Sequence, residues 1–278
     1  MLSYRHSFHA GNYADVLKHI VLIELLEYIT KKEGGFDYID THAGAGMYDL
    51  QSEHATKLHE YQQGIAKLKQ QDWPELATYF DILAKYNSDG KLDFYPGSPM
   101  ITMHFLRGQD RSWLYELHPK DAEMLVNNMG RIKRARIMHQ DGFKGLLSLL
   151  PPVSRRAVVL IDPSYEVKTD YNHVVDVVIE AYNTFPTGIY ALWYPVVDRN
   201  HIATMQRRLV KSGIKKIVQF ELGVTQDQFG TGMTASGMIV INPPWILHDK
   251  MATLLPKLKS VLGRDNTAFY KCEQLVGE

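Results

Sequence analysis

The sequence predicts an α/β protein with a mostly parallel, seven-stranded sheet that helices cover on both faces. Short runs rich in Val, Ile and Leu alternate with amphipathic helical patterns along most of the 278 residues. The last two strands have only a loop between them, which allows them to pair antiparallel, as a helical crossover would not.

The elements follow one another in a regular order. The first helical pattern is ADVLKHIVLIELLEYITKK, and two glycines separate it from the first strand, FDYID. Later helices are predicted over Pro119–Met129, Asn172–Thr184 and Asn200–Ser212. Six further strands are predicted over Ser112–Leu117, Ala135–Gly142, Ala157–Pro163, Gly188–Val196, Lys215–Val224 and Gly237–Trp245.

One segment interrupts the alternation of strands and helices. Residues 51–93 contain two amphipathic helical patterns, HATKLHEYQQGIAKLKQQ and PELATYFDILAKYN, where a single helix would be expected. We interpret this segment as a small helical subdomain inserted into the main domain. The main domain then consists of residues 1–50, which include the N-terminal tail, and residues 94–278.

Charge and cysteine content exclude several classes of protein. The net charge is zero, so a basic surface for nucleic acid would have to be local; the candidates are GRIKRAR, which contains Arg131, then Arg155–Arg156, and QRRLVKSGIKK. Taken alone, each cluster is more typical of a solvated face. The single Cys272 excludes an internal disulfide and a cysteine zinc site. No run is long and apolar enough for a membrane span, and the N-terminus does not resemble a signal peptide, so we expect a cytoplasmic protein.

A glycine-rich turn follows the first strand in YIDTHAGAG, where Gly44 and Gly46 would let backbone N–H groups approach a ligand. A dinucleotide site requires a third glycine and an acidic residue about twenty positions later, and neither is present. The turn therefore favours an adenosyl ligand without a pyrophosphate over NAD.

Three later strands also end on polar residues. Glu116 in YELHP could bind both ribose hydroxyls, and Asp141-Gly142 in HQDGF could accept a hydrogen bond from an adenine amino group. Asp162 opens the sequence DPSY after the next strand. Because the carboxyl ends of parallel strands meet in one crevice, this order predicts a class I S-adenosylmethionine methyltransferase with a Rossmann-like sheet.

DPSY differs by one residue from Asp-Pro-Pro-Tyr, which is typical of enzymes that methylate exocyclic amino groups of nucleobases. The sequence NPPW, from Asn242 to Trp245, fits that pattern better but ends the strand expected to run antiparallel, away from the cofactor. Asp162 and the Pro163 carbonyl could bind both hydrogens of the amine, and Tyr165 could stack on a flipped base. Ser164 loses the rigidity of a proline but no group that the reaction needs.

The N-terminal tail contains Tyr4, His6, His9, Lys18 and His19. The interpretations left open are surface residues, a metal site and a segment that stacks on and neutralises a nucleotide. No acidic residue accompanies the histidines at a standard metal-binding spacing, so we expect no metal.

Several unusual motifs, among them SYRHSFHAGN, DVLKH, DTHAGAG, YPGSP, GIYALWYPVV and GMTASGMIVINPPW, resemble the RlmJ-type 23S ribosomal RNA adenine-N6 methyltransferases from Met1 to about Trp245. The resemblance implies methylation of adenine 2030 on protein-free 23S rRNA by a protein that we expect to be monomeric. It implies an S-adenosylmethionine pocket that includes Lys18, His19, His42, Ser98, Glu116, Asp141 and Gly142. It also implies Asp162 as the catalytic acceptor and Tyr4 as a substrate contact, beside which we place His6 and Ser164.

Three other functions stay open at this point. A DNA adenine-N6 methyltransferase, or a protein of DNA utilisation, would share all of the chemistry. An RNA-binding scaffold with a decayed active site would explain Ser164. An NAD-dependent oxidoreductase is the most distant alternative.

Overall fold

The computed structural model describes residues 4–88, 90–130, 132–228, 230 and 232–278. The helices are α1 Tyr13–Thr30, α2 Glu53–Leu58, α3 Ala77–Tyr86, α4 Ser98–Met103, α5 Pro119–Met129, α6 Gly142–Leu149, α7 Asp170–Thr184, α8 Arg199–Lys211 and α9 Leu247–Leu262. The strands are β1 Asp37–Asp40, β2 Met47–Asp49, β3 Phe94–Pro96, β4 Arg111–Tyr115, β5 Ala135–Met138, β6 Ala157–Ile161, β7 Ile189–Val196, β8 Ile217–Gly223, β9 Ala235–Ile241 and β10 Phe269–Val276.

The main sheet has the strand order β10-β8-β9-β7-β6-β1-β4-β5. The five strands from β5 to β7 are parallel, β9 lies antiparallel between β7 and β8, and β10 is antiparallel to β8. The class I architecture and the antiparallel pairing of the last two predicted strands are therefore confirmed.

The predicted number of seven strands is wrong, because β10 adds an eighth strand at the edge of the sheet. Its sequence, FYKCEQLV, is interrupted by Lys271, Glu273 and Gln274, and no residue of the strand is fully buried. A half-exposed edge strand lacks the apolar run by which the central strands were recognised.

Helix α1 is buried around most of its circumference, with 15 of its 18 residues inaccessible. One side packs on β6, β7 and β9, and other sides contact α3, α4 and α9. Such burial explains why its sequence is apolar on almost every face. It also places the polar residues of its first turns inside the protein, where they face the carboxyl ends of the strands.

The inserted segment is less helical than its sequence predicts. The pattern from His54 to Gln71 forms only α2 and a series of short 3-10 turns, so the prediction of one long helix there is wrong. His59 interrupts it with a φ of 52°, and Gly64 adopts φ −117° and ψ −116°. A Cβ atom on Gly64 would lie 2.1 Å from the carbonyl oxygen of Gly11, so close packing against the N-terminal segment determines this shape. The antiparallel pair β2–β3 joins the two ends of the segment.

Within the described ranges, no helix is long and apolar enough to cross a membrane.

Candidate active site

The register of the sheet brings the predicted strand-end residues to one level. Asp40 in β1 lies opposite Leu114 in β4 and Leu160 in β6. His42, Glu116 and Asp162 each follow one of these three residues by two positions. Their side chains therefore meet at the carboxyl edge of the parallel strands, where open α/β sheets bind ligands.

A cavity of about 690 Å³ opens at this edge. All but one of the predicted site residues line it, namely Tyr4, His6, Lys18, His19, His42, Gly44, Ser98, Glu116, Asp141, Gly142, Asp162, Pro163, Ser164 and Tyr165. The exception is Gly46. It lies in the turn into β2, its carbonyl accepts a hydrogen bond from the Gly97 N–H, and a Cβ atom on it would meet the side chain of Leu125 at 2.8 Å. Gly46 therefore shapes the turn from behind and does not line the ligand cavity.

Asp162 and Lys18 form an ion pair inside the cavity. The Lys18 ammonium donates to Asp162 Oδ2 at 2.6 Å and lies 2.8 Å from Asp15 Oδ1. Burial raises the pKa of Asp162, and the Lys18 ammonium opposes that shift. The two carboxylates raise the pKa of Lys18 despite its burial, so this side chain stays charged. Among the described residues, Asp162 Oδ1 has no hydrogen-bond partner, which leaves that oxygen available to a substrate.

Asp15 extends this pair into a longer series of contacts. Its Oδ2 atom is 2.8 Å from His6 Nε2 and accepts a hydrogen bond from the Gly11 N–H at 2.9 Å. His6 Nδ1 is 2.9 Å from the Tyr4 hydroxyl. The predicted substrate residues of the tail are thus connected to Lys18 through Asp15. Burial alone would raise the pKa of Asp15, but the imidazole of His6 and the ammonium of Lys18 hold it well below its ordinary value.

The glycine turn and Glu116 form a second part of the site. Glu116 Oε2 accepts the Gly44 N–H at 2.8 Å, and Oε1 accepts the His118 N–H at 2.7 Å. Gly44 adopts a φ of +60°, and a Cβ atom there would lie 2.2 Å from the Tyr48 hydroxyl. Burial raises the pKa of Glu116. The backbone thus fixes the carboxylate in place, and each oxygen keeps a lone pair for a ribose hydroxyl.

Asp141 caps helix α6, which begins at Gly142. Asp141 Oδ1 accepts the N–H groups of Phe143 and Lys144 at 2.9 and 3.3 Å, and Oδ2 lies 3.9 Å from the ammonium of the exposed Lys144. A hydrogen bond from an adenine amino group to Asp141 stays a prediction. A Cβ atom on Gly142 would lie 1.9 Å from the carbonyl oxygen of Thr41. Only glycine allows α6 to begin so close to the end of β1.

Two histidines of the cavity are neutral because they are buried. Burial lowers the pKa of His42 to about 4, and its ring meets Phe143 edge-on at 5.0 Å. Burial also lowers the pKa of His19 to about 3, and His19 Nδ1 is 2.7 Å from the Tyr95 hydroxyl. Ser98 donates to Asp40 at 2.6 Å, and burial raises the pKa of that carboxyl to about 6. His19, His42 and Ser98 therefore present neutral groups to a ligand.

Tyr165 is held firmly by its neighbours. Its hydroxyl donates to the Trp193 carbonyl at 2.7 Å, and its ring lies 4.5 Å from that of Tyr171 at 39°. The backbone φ of Tyr165 is 53°, an uncommon value for a non-glycine residue. Pro163 and Ser164 line the cavity between Asp162 and this ring. Stacking of Tyr165 on a base stays a prediction.

Sequence reasoning did not identify Asp15 or Trp193 as part of the site. Asp15 lies one helical turn before Lys18, and this i, i+3 spacing was the available signal. Trp193 lies within the buried strand β7, where an aromatic residue is expected in the core. The Lys18 ammonium nevertheless stands 5.7 Å from its ring centroid.

Asn242 lies at the end of the sheet opposite to the cavity, where the parallel strands begin. Its amide donates to the carbonyls of Pro186 and Gly188 at 2.8 and 2.7 Å, next to the start of β7. The better match to the methyltransferase motif is thus a strand ending remote from the cavity, as predicted. Trp245 of the same motif is 79% exposed.

None of the described residues in the basic clusters proposed from the sequence lines the cavity. Arg131 lies outside the described residues. Arg156 donates to the carbonyls of Ile29 and Gly34, and Arg208 pairs with Asp176. The side chains of Arg156 and Arg208 therefore stabilise the fold.

The composition of the cavity suits S-adenosylmethionine. Its lining contains eight acidic and two basic side chains, and one of the basic ones, Lys18, is paired with carboxylates. A sulfonium cofactor carries more positive than negative charge and is attracted to such a surface. The Gly44 turn, Glu116 and Asp141 all line this cavity, and their contacts with the adenosyl part stay a prediction.

Comparison with known proteins agrees with this geometry. Residues 33–276 match the family model described as "Ribosomal RNA large subunit methyltransferase D, RlmJ". The chain is 53% identical to ribosomal RNA large subunit methyltransferase J of Escherichia coli and 48% identical to the protein of that name from Haemophilus influenzae, with both chains covered completely.

Solved structures give the same result. The Legionella pneumophila protein LPL1258 is similar with a TM-score of 0.88 and 35% identity, over 96% of this chain and 98% of that one. A probable spermidine synthase from Corynebacterium glutamicum, 11% identical, shares the fold with a TM-score of 0.52 over 97% of this chain and 78% of that one. The chain therefore belongs to the RlmJ family of ribosomal RNA large subunit methyltransferases.

Proposed function

We propose that this protein transfers a methyl group from S-adenosylmethionine to the N6 amino group of one adenine in 23S ribosomal RNA. Two full-length relatives carry the name of ribosomal RNA large subunit methyltransferase J, which supports ribosomal RNA as the substrate. Adenine 2030 and protein-free RNA follow from the resemblance of the sequence motifs. Such an enzyme would act in the cytoplasm.

The hydrogen bonding of Asp162 is the observation that supports an amino group as the methyl acceptor. Lys18 binds Oδ2, Oδ1 has no hydrogen-bond partner among the described residues, and both Asp162 and Pro163 line the cavity. An exocyclic amine is a weak nucleophile because its lone pair is delocalised into the ring. Two acceptors that bind its hydrogens favour a localised lone pair and fix its direction of attack.

The residues of the chain can then be given roles. The cofactor, when bound, supplies an electrophilic methyl group on a sulfonium sulfur. Asp162 Oδ1 and the Pro163 carbonyl accept the two N6 hydrogens, and the Asp162 carboxylate takes the proton that N6 loses once it carries the methyl group. Lys18 keeps Asp162 ionised before this step. Tyr165 and the Tyr4 segment enclose a base rotated out of its stack.

The experiment is transfer of labelled methyl groups from S-adenosylmethionine to protein-free 23S rRNA, followed by nucleoside mass spectrometry. We expect N6-methyladenosine at one position. Duplex DNA and intact large subunits are assayed in parallel, and a stronger signal on either would refute the proposed substrate. Cofactor binding without transfer to any nucleic acid would favour the scaffold alternative.

A further inference from the structure

The acidic lining of the cavity raises a problem for an enzyme that acts on RNA. Eight carboxylates surround the site, and they repel the phosphates that flank a target nucleotide. Lys18 cannot offset them, because it is already shared by Asp15 and Asp162. Arg5, near the edge of the cavity, is paired with Asp121 at 3.1 Å.

Arg264 differs from these cations. It lies in the loop between α9 and β10, is exposed, and lines the cavity. Among the described residues, no carboxylate forms an ion pair with it. Its charge acts on the cavity: it adds to the effect of His9 and Asn12, which lower the pKa of Glu60, and it opposes the rise that burial causes in the pKa of Tyr13.

The position of Arg264 is fixed by its surroundings. Its backbone N–H donates to the Val224 carbonyl at 2.7 Å, and its guanidinium stands 5.8 Å from the ring centroid of Tyr13. Tyr13 is itself held by a hydrogen bond of 3.1 Å from its hydroxyl to the Met233 carbonyl. A guanidinium held over a fixed ring by a cation–π contact loses less entropy when it binds an anion.

We infer that Arg264, supported by Tyr13, binds a backbone phosphate of the RNA beside the flipped adenine. This inference rests on the proposed function for the identity of the nucleic acid. The planar guanidinium can donate two hydrogen bonds to one phosphate. Among the described residues that line the cavity, Arg264 therefore supplies a cation that no carboxylate pairs, unlike Lys18. It comes from a part of the chain whose sequence shows no recognisable motif.

The test compares Arg264→Ala with Arg207→Ala. Arg207 is a suitable control because it is exposed and does not line the cavity. Within the described part of the chain, its side chain bonds only inside α8, to Ala203 and Thr204. Affinity for protein-free 23S rRNA is measured by filter binding over a range of salt concentrations. Cofactor affinity is measured by calorimetry, and KM and kcat are measured by methyl transfer.

We expect Arg264→Ala to weaken RNA binding and raise the KM for RNA about tenfold, with cofactor affinity and kcat unchanged. The slope of log affinity against log salt should fall by about 0.7, the contribution of one phosphate on a single strand. Arg264→Lys, which keeps the charge but not the planar fork, should give an intermediate loss and the original slope.

Three results would overturn the inference. They are an unchanged RNA affinity and salt slope in Arg264→Ala, an equal loss in Arg207→Ala, and a loss of cofactor affinity in Arg264→Ala. RNA binding is measured independently of catalysis. A wild-type protein that binds RNA through Arg264 but transfers no methyl group would therefore contradict the proposed function and leave this contact standing.

Discussion

Replacement of Gly64 by alanine tests whether the inserted segment positions the catalytic residues. A Cβ atom at residue 64 would lie 2.1 Å from the Gly11 carbonyl oxygen, whereas Cβ atoms in real proteins keep at least 3.0 Å from their neighbours. The two backbones would therefore have to separate by about 0.9 Å. The same Gly11 carbonyl accepts the Ile65 N–H at 2.9 Å, so this bond would lengthen or break.

The displacement has a direct path to the active site. The Gly11 N–H donates to Asp15, and Asp15 holds both Lys18 and His6. A shift of about 1 Å in a catalytic group can lower the rate roughly 100-fold. We expect kcat of Gly64→Ala to fall by that order. The forced overlap should also lower the free energy of unfolding by about 1–3 kcal/mol.

Gly108→Ala is the matched control. Gly108 has nothing within 4 Å of its added Cβ atom and no positive φ. Gly64→Ala adds two strains that Gly108→Ala lacks: the overlap with Gly11, and a backbone at φ −117° and ψ −116°, outside the regions that residues with a Cβ favour. The assays are methyl transfer to RNA at saturating cofactor and urea denaturation. Wild-type kcat and stability in Gly64→Ala would refute the idea that the insertion holds the N-terminal segment in place.

Substitutions of Lys18, Gly142 and His19, which all line the cavity, give three further predictions. Lys18→Met removes the ammonium that opposes the raised pKa of Asp162, so Asp162 should be protonated at higher pH and the acidic limb of the kcat profile should move to higher pH. Lys18→Arg keeps a positive charge there and should leave the acidic limb where it is. An unmoved limb in Lys18→Met would show that the ion pair does not set the position of the limb. Gly142→Ala would place a Cβ atom 1.9 Å from the Thr41 carbonyl oxygen and would push the start of α6 away from the end of β1. Calorimetry should then show a loss of cofactor affinity of about tenfold or more. Wild-type affinity would show that the start of α6 does not shape the cofactor pocket. Burial lowers the pKa of His19 to about 3, so between about pH 6.5 and pH 3 the unfolded chain binds a proton at His19 that the folded protein does not. The free energy of unfolding should therefore fall as the pH decreases through this range. Urea denaturation at several pH values should show a smaller decrease for His19→Gln than for the wild-type protein.

The central sheet could be predicted from the sequence because its strands are buried on both faces and read as apolar runs. The polar residues that end β1, β4 and β6 were then placed together by the geometry of parallel strands alone. Position in the sheet also distinguished Asp162 from the better-matching Asn242.

What the sequence did not reveal depends on contacts between distant segments. The helical pattern from residue 54 to 71 gave way to short turns because Gly64 packs against the backbone of Gly11 and Asn12. Helical periodicity records only which positions are apolar, and close approach of two backbones leaves no periodic signal. Asp15 was missed for a similar reason, because its role depends on the Gly11 N–H and His6 reaching it in the folded chain.

The most direct test of the account is methyl transfer to protein-free 23S rRNA by Asp162→Ala beside the wild-type protein, with cofactor affinity measured on both. The account predicts that the wild-type protein forms N6-methyladenosine. It predicts that the variant binds S-adenosylmethionine but loses transfer by a factor of about 100 or more. Transfer by Asp162→Ala at the wild-type rate, or methylation by the wild-type protein at an atom other than N6, would contradict it.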